Sequence, residues 1–217
     1  MERVTIVMGG AGAVGRAVVD RLLDLDHLVA ILDHDPRRIA ALEPDYDPGV
    51  ALLFALDPSD VDETAEVLEA VDERFGPASG LVVVVDAPDG EPLLATDPAD
   101  LPARLTGALV GAATLIRLAS DGMDEGGAIV IVLPPADAAE SAVARAVRDA
   151  LAGLVRGLAA ELAEAGIRVN AVVAPPPDPP RSSAARVAGR VDAAARLVSF
   201  LLSEDAAGMA GEVLGAR

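Results

Sequence analysis

Short apolar runs alternate with longer helical patterns along the whole chain, and this alternation restricts the fold more than any other feature. Strands that alternate with helices build repeated βαβ units on a parallel sheet. Residues 4–8 (VTIVM) predict a first strand, followed by a glycine loop and a helix through residue 25; residues 28–32 predict the second strand. Asp35-Pro36 opens a short helix, because proline suits a first turn whose N–H has no intrahelical partner. Residues 50–56 predict a third strand, and Asp57-Pro58-Ser59 is read as the cap of the helix after it. Residues 81–85 are one leucine and four valines, and residues 128–133 are equally apolar. Runs that are apolar on both faces belong to central strands covered by helices on either side. Helices are expected over residues 98–120 and 138–165, then a sixth strand at 167–173, a proline-rich loop at 175–180, a helix at 192–202 and a last strand at 212–214. The expectation is a Rossmann-type, doubly wound parallel sheet of about seven strands in three α/β/α layers. Residues 1–217 show no repeat or linker and are expected to form one domain.

The first strand runs directly into Gly9-Gly10-Ala11-Gly12-Ala13-Val14-Gly15. Gly10, Gly12 and Gly15 satisfy G-x-G-x-x-G, while Gly9, Gly12 and Gly15 satisfy G-x-x-G-x-x-G. Either spacing allows a tight turn, brings backbone N–H groups close to a pyrophosphate and aims a helix N-terminus at its charge. A lone glycine motif is a weak sign, but a position between a strand and a helix is what the mechanism requires. Gly9, Gly10, Gly12, Val14 and Gly15 are therefore candidate dinucleotide contacts. Asp33 ends the second strand, 18 residues after Gly15. A carboxylate there either accepts hydrogen bonds from the adenosine ribose, which favours NAD(H) over NADP(H), or merely caps the strand end. Arg37 and Arg38 stand nearby to answer a 2′-phosphate. Asp57 is either an adenine contact or the cap of its own helix, and His34 a surface residue beside the adenosine.

The formal charge of −18 sets nucleic acid and anionic membrane surfaces aside, since polyanions repel such a chain. No continuous apolar run approaches the roughly 18 residues of a membrane span, and the start carries no leader pattern, so a cytoplasmic location is expected. There is no cysteine, and the two histidines leave little to build a metal cage, so no metal is expected. Only 2% of residues are aromatic, which assigns the core to Ala, Val, Leu and Ile. All 17 basic residues are arginine, consistent with a GC-rich genome or with adaptation to salt.

Residues 158–162 (LAAEL) lead through Gly166-Ile167-Arg168-Val169-Asn170-Ala171 to Val172-Val173-Ala174-Pro175, and Phe200-Leu201-Leu202-Ser203-Glu204-Asp205 leads to Gly211-Glu212-Val213-Leu214. Both stretches resemble the short-chain dehydrogenase/reductases, and the likeness extends along nearly the whole chain. The resemblance implies an NAD(P)-dependent oxidoreductase with an Asn/Ser/Tyr/Lys tetrad. Counted back from Asn170, the Tyr-x-x-x-Lys pair falls on Ala144 and Arg148, the serine on or near Pro134, and the asparagine on or near Ala108. The family's Asn-Asn-Ala-Gly reads Val85-Asp86-Ala87-Pro88, which makes Asp86 and Ala87 the corresponding cofactor contacts. The central glycine of the loop is Ala13, Pro-Gly has become Pro175-Pro176, and the segment that closes over substrate in the family is shorter. The family's proton transfer needs a phenol beside an ammonium, and this chain has one tyrosine, Tyr46, and no lysine. Tyr46 is expected near the adenosine edge, as a surface or satellite-core residue. Arg148 keeps a positive charge but cannot release a proton as lysine does. No catalytic residue is therefore assigned. Ser141, with Arg145, Asp137 and Glu140 nearby, is either a replacement constellation or a set of caps and solvated side chains.

The expected function is that of a catalytically degenerate family member, a structural or regulatory subunit that pairs with itself or with a catalytically complete relative. In the family the helices expected at 98–120 and 138–165 form the dimer contact, and here they carry small residues (Gly107, Gly111, Ala112; Ala142, Ala146, Ala150, Gly153). Two alternatives are an active NAD-dependent alcohol/ketone oxidoreductase using non-standard or partner-supplied residues, and a nucleotide sensor without chemistry.

Overall fold

The computed structural model describes residues 3–86, 91–135, 141–176 and 184–215, with side chains in the last segment described from residue 188. Seven strands, β1 (Val4–Met8), β2 (Leu28–Asp33), β3 (Ala51–Ala55), β4 (Gly80–Val84), β5 (Ala128–Leu133), β6 (Arg168–Val173) and β7 (Val213–Gly215), form one sheet in the order β3-β2-β1-β4-β5-β6-β7. Every pairing is parallel, as βαβ crossovers require. The helices are α1 (Ala13–Leu23), α2 (Pro36–Leu42), α3 (Val61–Phe75), α4 (Leu101–Gly122), α5 (Ala142–Glu161) and α6 (Ala184–Leu202). This is the Rossmann-type three-layer fold expected from the alternating pattern.

The strand residues divide between two cores with the pleat's period of two. Ile6, Leu81, Val83, Ile129 and Ile131 pack towards α3, α4 and α5. Val7, Val82, Val130, Val132 and Val172 pack towards α1, α2 and α6. All six residues of β5 are buried, which explains its uninterrupted apolar sequence. The chain winds outward from β1 to β3, then crosses to β4, so successive connections leave opposite sides of the β1–β4 pair. A crevice opens at the carboxyl ends of such a pair, and ligands of doubly wound sheets bind there.

Several boundaries differ from expectation. The last helix begins at Ala184, not residue 192, since Gly189 interrupts an otherwise alanine-rich stretch without breaking it. α4 begins at Leu101 because Asp97 accepts the Ala99 N–H in a separate turn. α5 begins at Ala142, capped by Ser141, and ends at Glu161 ahead of a turn in which Gly166 adopts φ +71°. The cap of α3 is Asp60, whose carboxylate accepts the N–H groups of Asp62 and Glu63, so Asp57-Pro58-Ser59 precedes the cap. The reading of the sequence for membrane spans also needs correction. α4 carries an 18-residue window with a mean hydropathy of 1.2, long and apolar enough to cross a membrane by length and composition. Its apolar residues are dispersed among single polar ones, so no continuous run reveals them. Gly111, Ala112, Leu115, Ile116 and Ala119 make it a layer helix with one face in the core.

Two residues within the stretch quoted for the family resemblance have structural roles. The Arg168 guanidinium donates to the carbonyls of Leu201, Ser203 and Ala206 at 2.9, 3.1 and 3.0 Å, closing the C-terminal end of α6. Burial, and then the nearby Arg3 charge, push its pKa down. Asn170 donates to the Met209 carbonyl at 2.8 Å and accepts from the Glu212 N–H at 3.1 Å, which fixes the turn that delivers β7 to the sheet.

Candidate functional site

The glycine loop occupies the crevice, and its shape follows from a few close approaches. Gly9 takes φ +76°, and a Cβ on it would lie 2.7 Å from the Val84 carbonyl oxygen of the neighbouring strand. A Cβ on Gly15 would lie 2.1 Å from the Gly9 carbonyl oxygen, so α1 can sit against the loop only with glycine there. Gly9 and Gly10 both donate their N–H to the Leu32 carbonyl, at 2.8 and 3.0 Å, and the Gly12 N–H returns to Gly9. The Ala11 N–H donates to the Asp33 carboxylate at 3.3 Å. The amides of residues 9–12 are thus used inside the protein. Those of Ala13, Val14 and Gly15, the first turn of α1, have no partner among the described residues. They present the unsatisfied N–H groups and the positive dipole end that suit a phosphate.

Beside the loop lies an open cavity of about 490 Å³ whose walls include Gly9, His34, Asp57, Val84, Asp86 and Ala108. Its volume falls within the range of small-molecule sites, roughly 300–1,000 Å³. Gly111 lets α4 approach the loop after β3, where a Cβ would come within 3.0 Å of Pro58. The free N–H groups at the start of α1 and this cavity fit the adenosine and pyrophosphate half of a dinucleotide. Among the described residues, no group of three or more His, Asp or Glu side chains stands close enough to hold a metal ion.

The sequence-derived candidates fall into distinct places. Gly9, Asp57 and Asp86 line the cavity, and His34 forms part of its wall. Gly10, Gly12, Val14 and Gly15 belong to the loop and the start of α1. Asp57 accepts from both the N–H and the hydroxyl of Ser59, at 2.9 and 2.7 Å, and these bonds hold its carboxyl below the usual range. Asp86 is largely exposed, 3.9 Å from Arg38, which lies equally far from Asp35. This Arg38–Asp86 approach across the crevice mouth has no local signature in the sequence. Asp33 is only 1% exposed and does not line the cavity. Ala87, Pro88, Asp137, Glu140 and most of the shortened segment after β6 lie outside the described residues.

The positions matched to the family's tetrad lie on α4, at the carboxyl end of β5 and on α5. Ala108 is half-buried at the cavity wall, Pro134 is buried where β5 ends, and Ala144 and Arg148 are buried one turn apart on α5. An Arg148 N–H contacts the Pro135 carbonyl at 3.4 Å, which joins α5 to the end of β5. Ser141 serves as a cap, its hydroxyl accepting the Ala144 N–H at 3.2 Å. Tyr46 lies elsewhere, on the connection between β2 and β3. It donates to Asp20 at 2.7 Å, and its ring centroid is 6.0 Å from the guanidinium carbon of Arg16, itself paired with Asp45. Burial first, then Asp20, push its phenol far above the ordinary value. Tyr46 packs at the edge of the α1/α2/α6 core, in keeping with a satellite-core residue.

Comparison with known proteins places this geometry among similar chains. A family model described as enoyl-(acyl carrier protein) reductase matches residues 9–216. The chain is 31% identical over 181 residues to carbonyl reductase family member 4 of Xenopus tropicalis, covering 81% of this chain and 75% of that protein. It is 28% identical over 180 residues to the 3-oxoacyl-[acyl-carrier-protein] reductase of Mus musculus, with the same coverage. A short-chain dehydrogenase/reductase (glucose/ribitol dehydrogenase) structure from Brucella melitensis superposes with a TM-score of 0.83 at 22% identity, covering 99% of this chain and 97% of that one. A short-chain oxidoreductase from Pseudomonas aeruginosa PAO1, described as containing an atypical catalytic center, gives 0.82 at 21% identity, covering 99% and 95%.

Proposed function

The chain belongs to the short-chain dehydrogenase/reductase family, and we propose that it serves there as a catalytically silent subunit that binds a dinucleotide, NAD(H) by the sequence argument, and supports a catalytically complete relative. One observation carries this reading. The sole tyrosine is bound to Asp20 away from the crevice, and the positions matched to the tetrad are Ala108, Pro134, Ala144 and Arg148. A phenol held far above its ordinary pKa and a guanidinium that does not deprotonate leave no phenol–ammonium relay at the matched positions. Bound dinucleotide would supply the hydride carrier, and the free N–H groups at the α1 N-terminus would hold its phosphates.

The outward faces of α4 and α5 support the partner half of the proposal. Only 22% of the most apolar stretch of α4 is buried, and Gly107, Val110, Ala146, Ala150 and Gly153 are exposed. Small side chains let helices approach closely, so these faces suit a subunit contact in the cytoplasm. The test is purification from the native host. A family member with an intact Tyr-x-x-x-Lys should co-purify, and its activity should fall when this chain is removed. A chain that runs alone, with no such relative bound, contradicts the proposal.

A second reading is an active oxidoreductase that uses non-standard or partner-supplied residues. It draws support from the fold neighbour described as having an atypical catalytic center. It predicts cofactor turnover by the isolated chain on a screen of alcohols and ketones.

A further inference from the structure

We infer that Glu63 is a positioning residue for the adenine end of the dinucleotide, acting through Asp57; the inference deepens the dinucleotide-binding proposal and rests on it. Asp60 and Glu63 have the spacing of a capping box, in which the carboxylate of the third helical residue returns to the N-cap N–H. The structure uses only half of that box. Asp60 accepts the Asp62 and Glu63 N–H groups, but its own N–H donates to the Asp57 carbonyl at 2.9 Å. The Glu63 carboxylate reaches past it and accepts the Asp57 N–H at 3.1 Å. The preceding N–H, that of Leu56, goes to the Asp33 carbonyl, so Glu63 takes over where β3 stops pairing with β2.

Asp57, Pro58 and Ser59 line the cavity beside the glycine loop. Their segment is held from two sides. Glu63 of α3 takes its first N–H, and Gly111 of α4 stands so close that a Cβ there would come within 3.0 Å of Pro58. The Ser59 N–H and hydroxyl both donate to the same Asp57 oxygen, at 2.9 and 2.7 Å. The other Asp57 oxygen has no donor among the described residues. A carboxylate oxygen with free lone pairs accepts from an amino group and repels a carbonyl. Adenine carries an amino group at C6, where hypoxanthine carries a carbonyl. The place of Asp57 therefore sets which base fits, and Glu63 sets that place.

The experiment measures, by calorimetry, affinities for NAD⁺ and for its hypoxanthine analogue. The two are equal in charge, so their ratio cancels any change in the protein's field. Glu63→Ala should lower the preference for NAD⁺ by about three- to tenfold. Glu63→Gln keeps an acceptor for the Asp57 N–H and should hold the preference within about twofold of the parent. In an Asp57→Ala background, Glu63→Ala should leave the preference unchanged. A parent chain indifferent to the two bases, an unchanged preference in Glu63→Ala, or an equal loss in Glu63→Gln would each overturn the inference. Should the parent bind neither dinucleotide, the functional proposal fails. Exchange of the Asp57 amide, followed by NMR on the free chain, then decides whether Glu63 holds the segment: about threefold faster exchange in Glu63→Ala upholds it, and unchanged exchange contradicts it.

Discussion

Substituting Gly15 and Gly12 by alanine should give opposite results, although both glycines satisfy the same motif. A Cβ on Gly15 meets the Gly9 carbonyl oxygen at 2.1 Å and the Gly9 and Gly10 backbone carbons at 2.8 Å. All three are main-chain atoms, so relief requires moving either the loop or α1. Moving the loop strains the paired bonds from Gly9 and Gly10 to the Leu32 carbonyl. Overpacking costs about 1–3 kcal/mol, and each weakened hydrogen bond adds about 1 kcal/mol, so Gly15→Ala is expected to cost about 3 kcal/mol. For a chain of this length 1 kcal/mol shifts the melting temperature by about 2–4 °C, giving a fall of about 6–12 °C. Gly12 has φ −73°, a value any L-residue adopts, and its nearest neighbour would be the Gly9 oxygen at 3.4 Å. Reduced freedom in the unfolded chain then favours alanine by about 0.4–1 kcal/mol, offset by alanine's poor fit at a helix N-cap. Gly12→Ala should stay within about 1 kcal/mol of the parent by the same balance. Scanning calorimetry on the two variants decides the matter. Equal melting temperatures, or a larger loss in Gly12→Ala, would refute the close-packed loop.

Other consequences concern the opposite end of the sheet. Arg168→Met should cost about 3 kcal/mol in urea unfolding, since three carbonyls at the end of α6 lose their donor. Asn170→Asp should cost about 2–3 kcal/mol and loosen β7, seen as faster amide exchange at Val213 and Leu214, because a carboxylate cannot donate to the Met209 carbonyl. His27, with Nδ1 2.9 Å from the buried Thr5 hydroxyl, has its pKa lowered from 6.5 by burial and then by Arg3. The folded protein binds that proton less readily than the unfolded chain, so stability should be full above pH 6.5 and decline as pH falls from there towards the folded value. His27→Gln should flatten that limb of a melting-temperature profile against pH.

What the sequence disclosed, and what it hid, follows from the range of the interactions. β4 and β5 were legible because burial on both faces leaves no polar residue in either run. The glycine loop is legible because Gly15 must clear the Gly9 and Gly10 backbone only a few residues away, whereas the Gly9 approach to Val84 is not. The α3 cap is not legible in the sequence because Asp57, Ser59 and Asp60 are all good caps within four residues, and only geometry selects Asp60. The Asp33 contact with Ala11 is hidden because a strand-end carboxylate looks the same in sequence whether or not it reaches the glycine loop. The Arg38–Asp86 approach spans the crevice between elements distant in sequence, so no local pattern encodes it.

The most direct test of a silent subunit is turnover by the isolated chain. Protein purified free of any relative should bind NAD(H) yet give no change in cofactor absorbance on a panel of alcohols and ketones, at any enzyme concentration. Turnover that scales with the protein and survives removal of every companion would contradict the account.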